Sequence, residues 1–116
     1  MTAGIPSVDR SVEACFLLDF YGSLLTERVR RLLSLHYEED LSYGEIAEQT
    51  GTSRQAVHDG VSRGLSQLLA YEAKLGLAAR FGAQRAQVEA ALRAIADGRA
   101  DEAAAELRRL LDALEG

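Results

Sequence analysis

The chain has 116 residues, 47% apolar and 27% charged, with thirteen basic against eighteen acidic side chains and a net charge of −5. This is the composition of a globular domain with room for a modest core without metal or disulfide staples. Cys15 is the only cysteine, no apolar run approaches the roughly 20 residues of a membrane span, and the start lacks the basic region of a secretory signal. An internal disulfide and a membrane span are therefore excluded, and a cytoplasmic location is expected. Alanine, leucine, glutamate and arginine dominate beside a single proline, which predicts an all-α fold of five or six helices.

Residues 1–10, with Gly4 and Pro6, read as a flexible N-terminus. From Ser11 to Tyr21 the positions Val12, Cys15, Phe16, Leu17, Leu18, Phe20 and Tyr21 crowd apolar groups round a helix. Such a helix is expected to be buried on more than one side, by later helices or by a second subunit. A homodimer through this helix is the preferred expectation, because twofold pairing is the commonest assembly and suits a motif reading two half-sites.

Thr26 is the expected cap of the next helix, whose stripe is Val29, Leu32, Leu33 and His36. Arg28, Arg30 and Arg31 lie in its early turns. With acids nearby they read as a charged surface, the alternative being a clamp on a phosphate backbone or an RNA helix. Glu38, Glu39 and Asp40 place acid at a helix C-terminus, against the dipole, and predict fraying into a turn.

The stretch Ser42–Arg63 is the most informative. Ser42 and Glu45 have the spacing of a capping box, with Leu41 and Ile46 as its hydrophobic staple. Ile46 and the small Ala47 face inward, Gly51 falls where the turn needs positive φ, and Thr52 or Ser53 caps a second helix. Val57 and Val61 give that helix its buried stripe. An apolar residue three after Val57 would be usual; here that place is Gly60, which implies a slightly rotated helix or a close contact. Two short helices joined across a glycine turn make a helix-turn-helix, whose second helix can enter a DNA major groove.

The stripe runs on through Leu65, Leu68, Leu69 and Leu75, with Gly76 or Gly82 as the helix end. Gly60 and Gly64 share a face, which either admits a close helix or is simply tolerated. Beyond residue 82, Val88, Leu92 and Ile95 form one stripe and Leu107, Leu110, Leu111 and Leu114 another, with Asp97-Gly98 as the turn. The expected organisation is a flexible N-terminus at 1–10, a helix-turn-helix domain at 11–82 and a C-terminal helical hairpin at 83–116.

Arg54, Gln55, His58, Asp59, Ser62 and Arg63 are left on the outer face of the second helix. Arginine and glutamine there match guanine and adenine edges. His58 and Arg63 can reach a base or a phosphate, and Asp59 repels phosphate unless it accepts from a cytosine amino group. The bland alternative for all six is a solvated helix face. From Thr26 to Leu75 six bases stand against eight acids, a net of −2, which is awkward for DNA because affinity comes largely from cations displacing counterions. Cys15 and His36 read as packing residues, since a metal site needs more ligands at closer spacing. With no nucleophile–base grouping or phosphate loop, the chain is read as no enzyme, with no cofactor and no metal.

Four segments carry a family resemblance: Asp-Phe-Tyr-Gly-Ser-Leu-Leu-Thr-Glu at 19–27, Leu-Ser-Tyr-Gly-Glu-Ile-Ala-Glu at 41–48, Ser-Arg-Gln-Ala-Val at 53–57 and Tyr-Glu-Ala-Lys-Leu-Gly-Leu at 71–77. Together they resemble the bacterial YlxM-like helix-turn-helix proteins, over a little more than half the chain, and the step to Val61 fits that family's spacing. Those proteins are similar in turn to the fourth region of sigma factors. The resemblance implies a winged-helix-type three-helical core without the wing, carrying extra N- and C-terminal helices. It also implies a link to the signal recognition particle pathway, inferred from gene neighbourhood. Two functions follow: a DNA-binding regulator, or an adaptor docking on the signal recognition particle protein or RNA through the same motif.

Overall fold

A computed structural model describes residues 7–115, which form six α-helices and no strand. The first six residues of the expected flexible N-terminus lie outside the described residues, and the remaining four belong to α1 (Ser7–Tyr21), which starts earlier than Ser11. The chain divides into two compact units, one ending at Gly76 and one beginning at Leu77.

In the first unit α1 is followed by a single 3₁₀ turn, Gly22–Leu24, and by α2 (Glu27–Leu33). Thr26 caps α2 as expected, its hydroxyl accepting from the Val29 N–H at 3.3 Å. The end of α2 does not fray. It widens into a π-helical turn, Ser34–Glu38, in which the Glu39 N–H donates to the Ser34 carbonyl at 3.1 Å. Asp40 then takes a left-handed conformation, φ 59°, and the Leu41 N–H closes onto the Leu35 carbonyl at 3.1 Å. The acids set against the helix dipole are offset here by contacts that the widened turn makes. Leu35 is buried, the Ser34 hydroxyl donates to Glu38 at 2.6 Å, and the Cys15 thiol donates to the Tyr37 carbonyl at 3.5 Å. Burial, then the carboxylates of Glu38, Asp19 and Asp40, push the Cys15 thiol above its ordinary range, so it stays a packing thiol.

α3 (Tyr43–Thr50) and α4 (Arg54–Leu75) follow, and α1, α2 and α3 all pack on α4. The buried side chains at their junction include Leu17, Leu33, Ile46, Val57, Val61 and Leu68. Tyr21 is fully buried, and its hydroxyl donates to the Glu72 carboxylate at 2.6 Å. α1 buries one stripe, Ala14, Leu17, Leu18 and Tyr21, and leaves Val12 65% exposed. Its apolar surplus is thus not fully used inside the first unit.

The glycine face of α4 is a contact surface. A Cβ built on Gly60 would lie 2.5 Å from Leu32 Cδ1, and one on Gly64 would lie 2.6 Å from Val29 Cγ1 and 2.8 Å from Leu33 Cδ1. The missing side chains therefore let α2 seat directly on α4, which explains why the stripe steps from Val57 to Val61 rather than to residue 60.

The second unit is a hairpin of α5 (Leu77–Ala96) and α6 (Ala100–Glu115). The division expected after residue 82 falls at Gly76, which takes φ 64° and ends α4, while Gly82 sits within α5. The turn expected at Asp97-Gly98 is present: Gly98 has φ 77°, and the Arg99 N–H donates to the Ala94 carbonyl at 2.7 Å. No helix among the described residues is long and apolar enough to cross a membrane.

Candidate nucleic-acid interface

Local chemistry sets both ends of α3. The Ser42 hydroxyl accepts from the Glu45 N–H at 3.1 Å while the Glu45 carboxylate accepts from the Ser42 N–H at 2.8 Å, completing the capping box. At the other end Gly51 takes φ 71°, and the Thr52 N–H donates to the Ala47 carbonyl at 3.1 Å, a Schellman-type closure. Ser53, rather than Thr52, caps α4, its hydroxyl accepting from the Ala56 N–H at 3.0 Å. Ile46, Ala47, Val57 and Val61 are all buried, so the bend is locked from inside.

The hydrogen bonds from Ser42 hold the Glu45 carboxyl below the usual carboxylate range. A carboxyl depressed by folding stabilises the fold above its unfolded value, about pH 4.3, and loses that contribution as pH falls through its folded value. Wild-type protein is expected to lose stability through that acid range more steeply than Glu45→Gln, read by chemical denaturation at stepped pH. Ser42→Ala, which removes the cap itself, is expected to cost about 1 kcal/mol at neutral pH.

With the bend fixed, Arg54, Gln55, His58, Asp59, Ser62 and Arg63 all stand exposed on α4, as expected. They are not equivalent. Arg54, Gln55 and His58 join Tyr43 of α3 around an open cleft of about 420 Å³. Ser62 and Arg63 lie a turn further along and do not line it. The Gln55 amide donates to Asp59 at 2.9 Å, and His58 Nδ1 lies 3.5 Å from the same oxygen. Asp59 therefore holds the Gln55 amide and lies beside the His58 ring.

Beneath the cleft runs an aromatic stack that the sequence did not reveal. Tyr43 meets the His58 ring edge-on at 5.2 Å and stacks on His36 at 4.6 Å, and His36 meets Tyr37 at 4.7 Å. His36 Nδ1 is 2.9 Å from the Leu41 carbonyl, which can only accept, so Nδ1 carries the proton. His36 is thus half-buried packing as expected, and it is also the support that orients Tyr43 against α4.

The arginines of α2 depart from the expected pattern of pairing. Arg30 alone is held, its guanidinium reaching both Glu27 oxygens at 2.9 and 3.0 Å, which raises its already high pKa. Among the described residues Arg28 and Arg31 make no ion pair, and neither do Arg54 and Arg63. Arg28 and Arg31 instead line an open cleft of about 340 Å³ with Leu32, Gln49, Thr50 and Thr52, beside the bend that precedes α4. Spacing alone did not separate them, since Glu27 lies three residues before Arg30 and four before Arg31, both pairing distances on a helix; the geometry gives the carboxylate to Arg30.

A long helix packed across a capped short one at a glycine bend, with polar side chains left on its outer face, defines a helix-turn-helix protein. The family model described as "Putative helix-turn-helix protein, YlxM / p13 like" matches residues 8–106, and the chain belongs to that family. It is 42% identical to UPF0122 protein BH2485 of Halalkalibacterium halodurans over 108 residues, 93% of this chain and 96% of that protein. It is 39% identical to UPF0122 protein YlxM of Bacillus subtilis over 109 residues, 94% of this chain and 96% of that one. The family resemblance read from four segments thus extends over most of the chain.

Proposed function

We propose that this protein is a cytoplasmic regulator that binds duplex DNA. Arg54, Gln55 and His58 would meet base edges in the major groove, while Arg28 and Arg31 hold flanking phosphates. The observation that carries this reading is the set of four unpaired arginines, two on α2 and two on α4, on either side of the bend. Cations satisfied by neighbouring carboxylates gain little from a phosphate; cations left open release counterions on binding. Open arginines answer the objection raised by the net negative charge, because local availability rather than the total sets the contact. The test is a mobility shift of DNA fragments at stepped salt. Binding that weakens steeply as salt rises is expected; no salt-sensitive shift on any fragment at micromolar protein overturns the proposal.

One observation favours a second reading. The segment up to Gly76 carries seven basic against eleven acidic residues, a net of −4. Such a balance suits an adaptor that docks on a basic surface of the signal recognition particle protein through the same α4 face; the particle's RNA, a polyanion like DNA, gains nothing from it. That reading predicts co-purification with the particle, lost on Arg54→Ala plus His58→Ala, with no DNA shift.

A further inference from the structure

The C-terminal hairpin has its seam and its large side chains in different places. Ala91, Ala94 and Ala103, each 2% exposed, close the contact between α5 and α6. Val88, Leu92 and Ile95 on α5 are 38%, 60% and 55% exposed, and Leu107, Leu111 and Leu114 on α6 are 43%, 53% and 58% exposed. At roughly 100° per residue the α5 set lies about 40–100° round from Ala91, and the α6 set about 20–80° round from Ala103, in the same chain sense. In antiparallel neighbours, equal rotations in the chain sense point to the same side of the pair. The six side chains therefore form one continuous apolar face on one side of the hairpin.

We infer that this face pairs with the same face of a second copy of the chain, closing a four-helix bundle about a twofold axis. A two-helix unit sealed by alanines has half of a bundle's layers and lacks the other half. A face of six aliphatic side chains with no charge among them can meet its own copy, as a twofold contact requires. The open face presents on the order of 600 Å² per hairpin, at the upper end of what monomers leave exposed. Two copies would bury about 1,200 Å², which reaches the range of specific interfaces. Charge does not oppose the pairing: from Leu77 onward six arginines stand against seven carboxylates, a net of −1. Several of those charges are already engaged within the hairpin, Arg85 with Glu89, Arg99 with Asp97 and Glu102, and Arg109 with Glu106. The dimer expected from the sequence is thereby moved from α1, which spends Ala14, Leu17, Leu18 and Tyr21 on its own unit, to the hairpin.

Sedimentation velocity on the full chain, without nucleic acid, tests this independently of the proposed function. Wild-type protein is expected at twice the 12.6 kDa chain mass across the micromolar range. Leu92→Glu plus Leu111→Glu is expected at the monomer mass. The milder Leu92→Ala plus Leu111→Ala is expected to weaken dimerisation at least tenfold with the far-ultraviolet helix signal kept, and Val12→Glu is expected to stay dimeric. A monomeric wild type overturns the inference, as does a dimer that survives the Leu92 and Leu111 changes or falls apart with Val12→Glu. A monomeric wild type in which Leu92→Glu loosens the first unit would show instead that the face closes on its own chain.

Discussion

Replacing Gly64 with leucine is expected to cost more than 3 kcal/mol and to leave the helix-turn-helix unit largely unfolded at 37 °C. A Cβ at that position already falls 2.6 Å from Val29 and 2.8 and 3.1 Å from two Leu33 atoms, and Leu33 is itself fully buried. Extra carbons in a packed contact cost about 1–3 kcal/mol, and a whole leucine here exceeds the space outright. Against a total stability of about 5–15 kcal/mol, that loss is a large fraction. Gly64→Ala separates two effects. Helix propensity favours alanine by about 1 kcal/mol, while the clash with two side chains on α2 opposes it. The clash should win, giving a net loss of about 1 kcal/mol. Gly60→Ala is the control. Its Cβ meets only Leu32 Cδ1 closely, the far end of a side chain that can turn aside, so the propensity gain and the adjustment should nearly cancel. Denaturant midpoints for the three variants check the order Gly64→Leu, Gly64→Ala, Gly60→Ala. If Gly64→Ala stabilises the protein, α2 does not seat on α4 as described.

The same glycines mark how far the sequence could be read. The motif from Ser42 to Arg63 was legible because each signal is local: a serine and a glutamate three apart, a glycine at the one position with φ 71°, a serine before the next helix, and apolar residues at helical spacing. The outer residues of α4 follow directly, since fixing the inner stripe fixes the outer one. What remained hidden depends on groups far apart in the chain. The π-helical turn is held by Cys15, some twenty residues earlier, and by the stack of His36 on Tyr43. Whether Gly76 or Gly82 ended α4 was undecided by local pattern, because glycine is tolerated inside a helix and only one of the two takes positive φ. The freedom of Arg28 and Arg31 required knowing which carboxylate reaches which guanidinium. Glu27 reaches Arg30 and leaves the others open. The role of Asp59 was half read: its repulsion of phosphate was expected, but not its hold on Gln55 and His58.

Base contacts and phosphate contacts should fail in different ways, and that difference is the sharpest expectation for DNA binding. Arg54→Ala plus Gln55→Ala is expected to weaken binding to the preferred sequence by at least about 30-fold, since each good base pairing contributes about 1–3 kcal/mol of discrimination. Binding to unrelated sequence should change far less, because only one cation is lost. Arg28→Ala plus Arg31→Ala is expected to weaken all sequences alike and to reduce the slope of log affinity against log salt by about 2, close to one unit per lost phosphate contact. Asp59→Asn should move the other way. It removes a negative charge facing the groove and keeps an oxygen that can accept from Gln55, so binding should tighten and the fold should stand unchanged. Titrations of one preferred and one scrambled duplex at several salt concentrations distinguish the three cases. If both double variants lower affinity for both duplexes equally, α4 supplies charge but reads no bases. If Asp59→Asn weakens binding, its carboxylate makes a contact that the phosphate-repulsion picture denies: a loss confined to the preferred duplex means acceptance from a cytosine amino group, whereas a loss on both duplexes moves the α4 face from DNA to a partner with basic groups of its own.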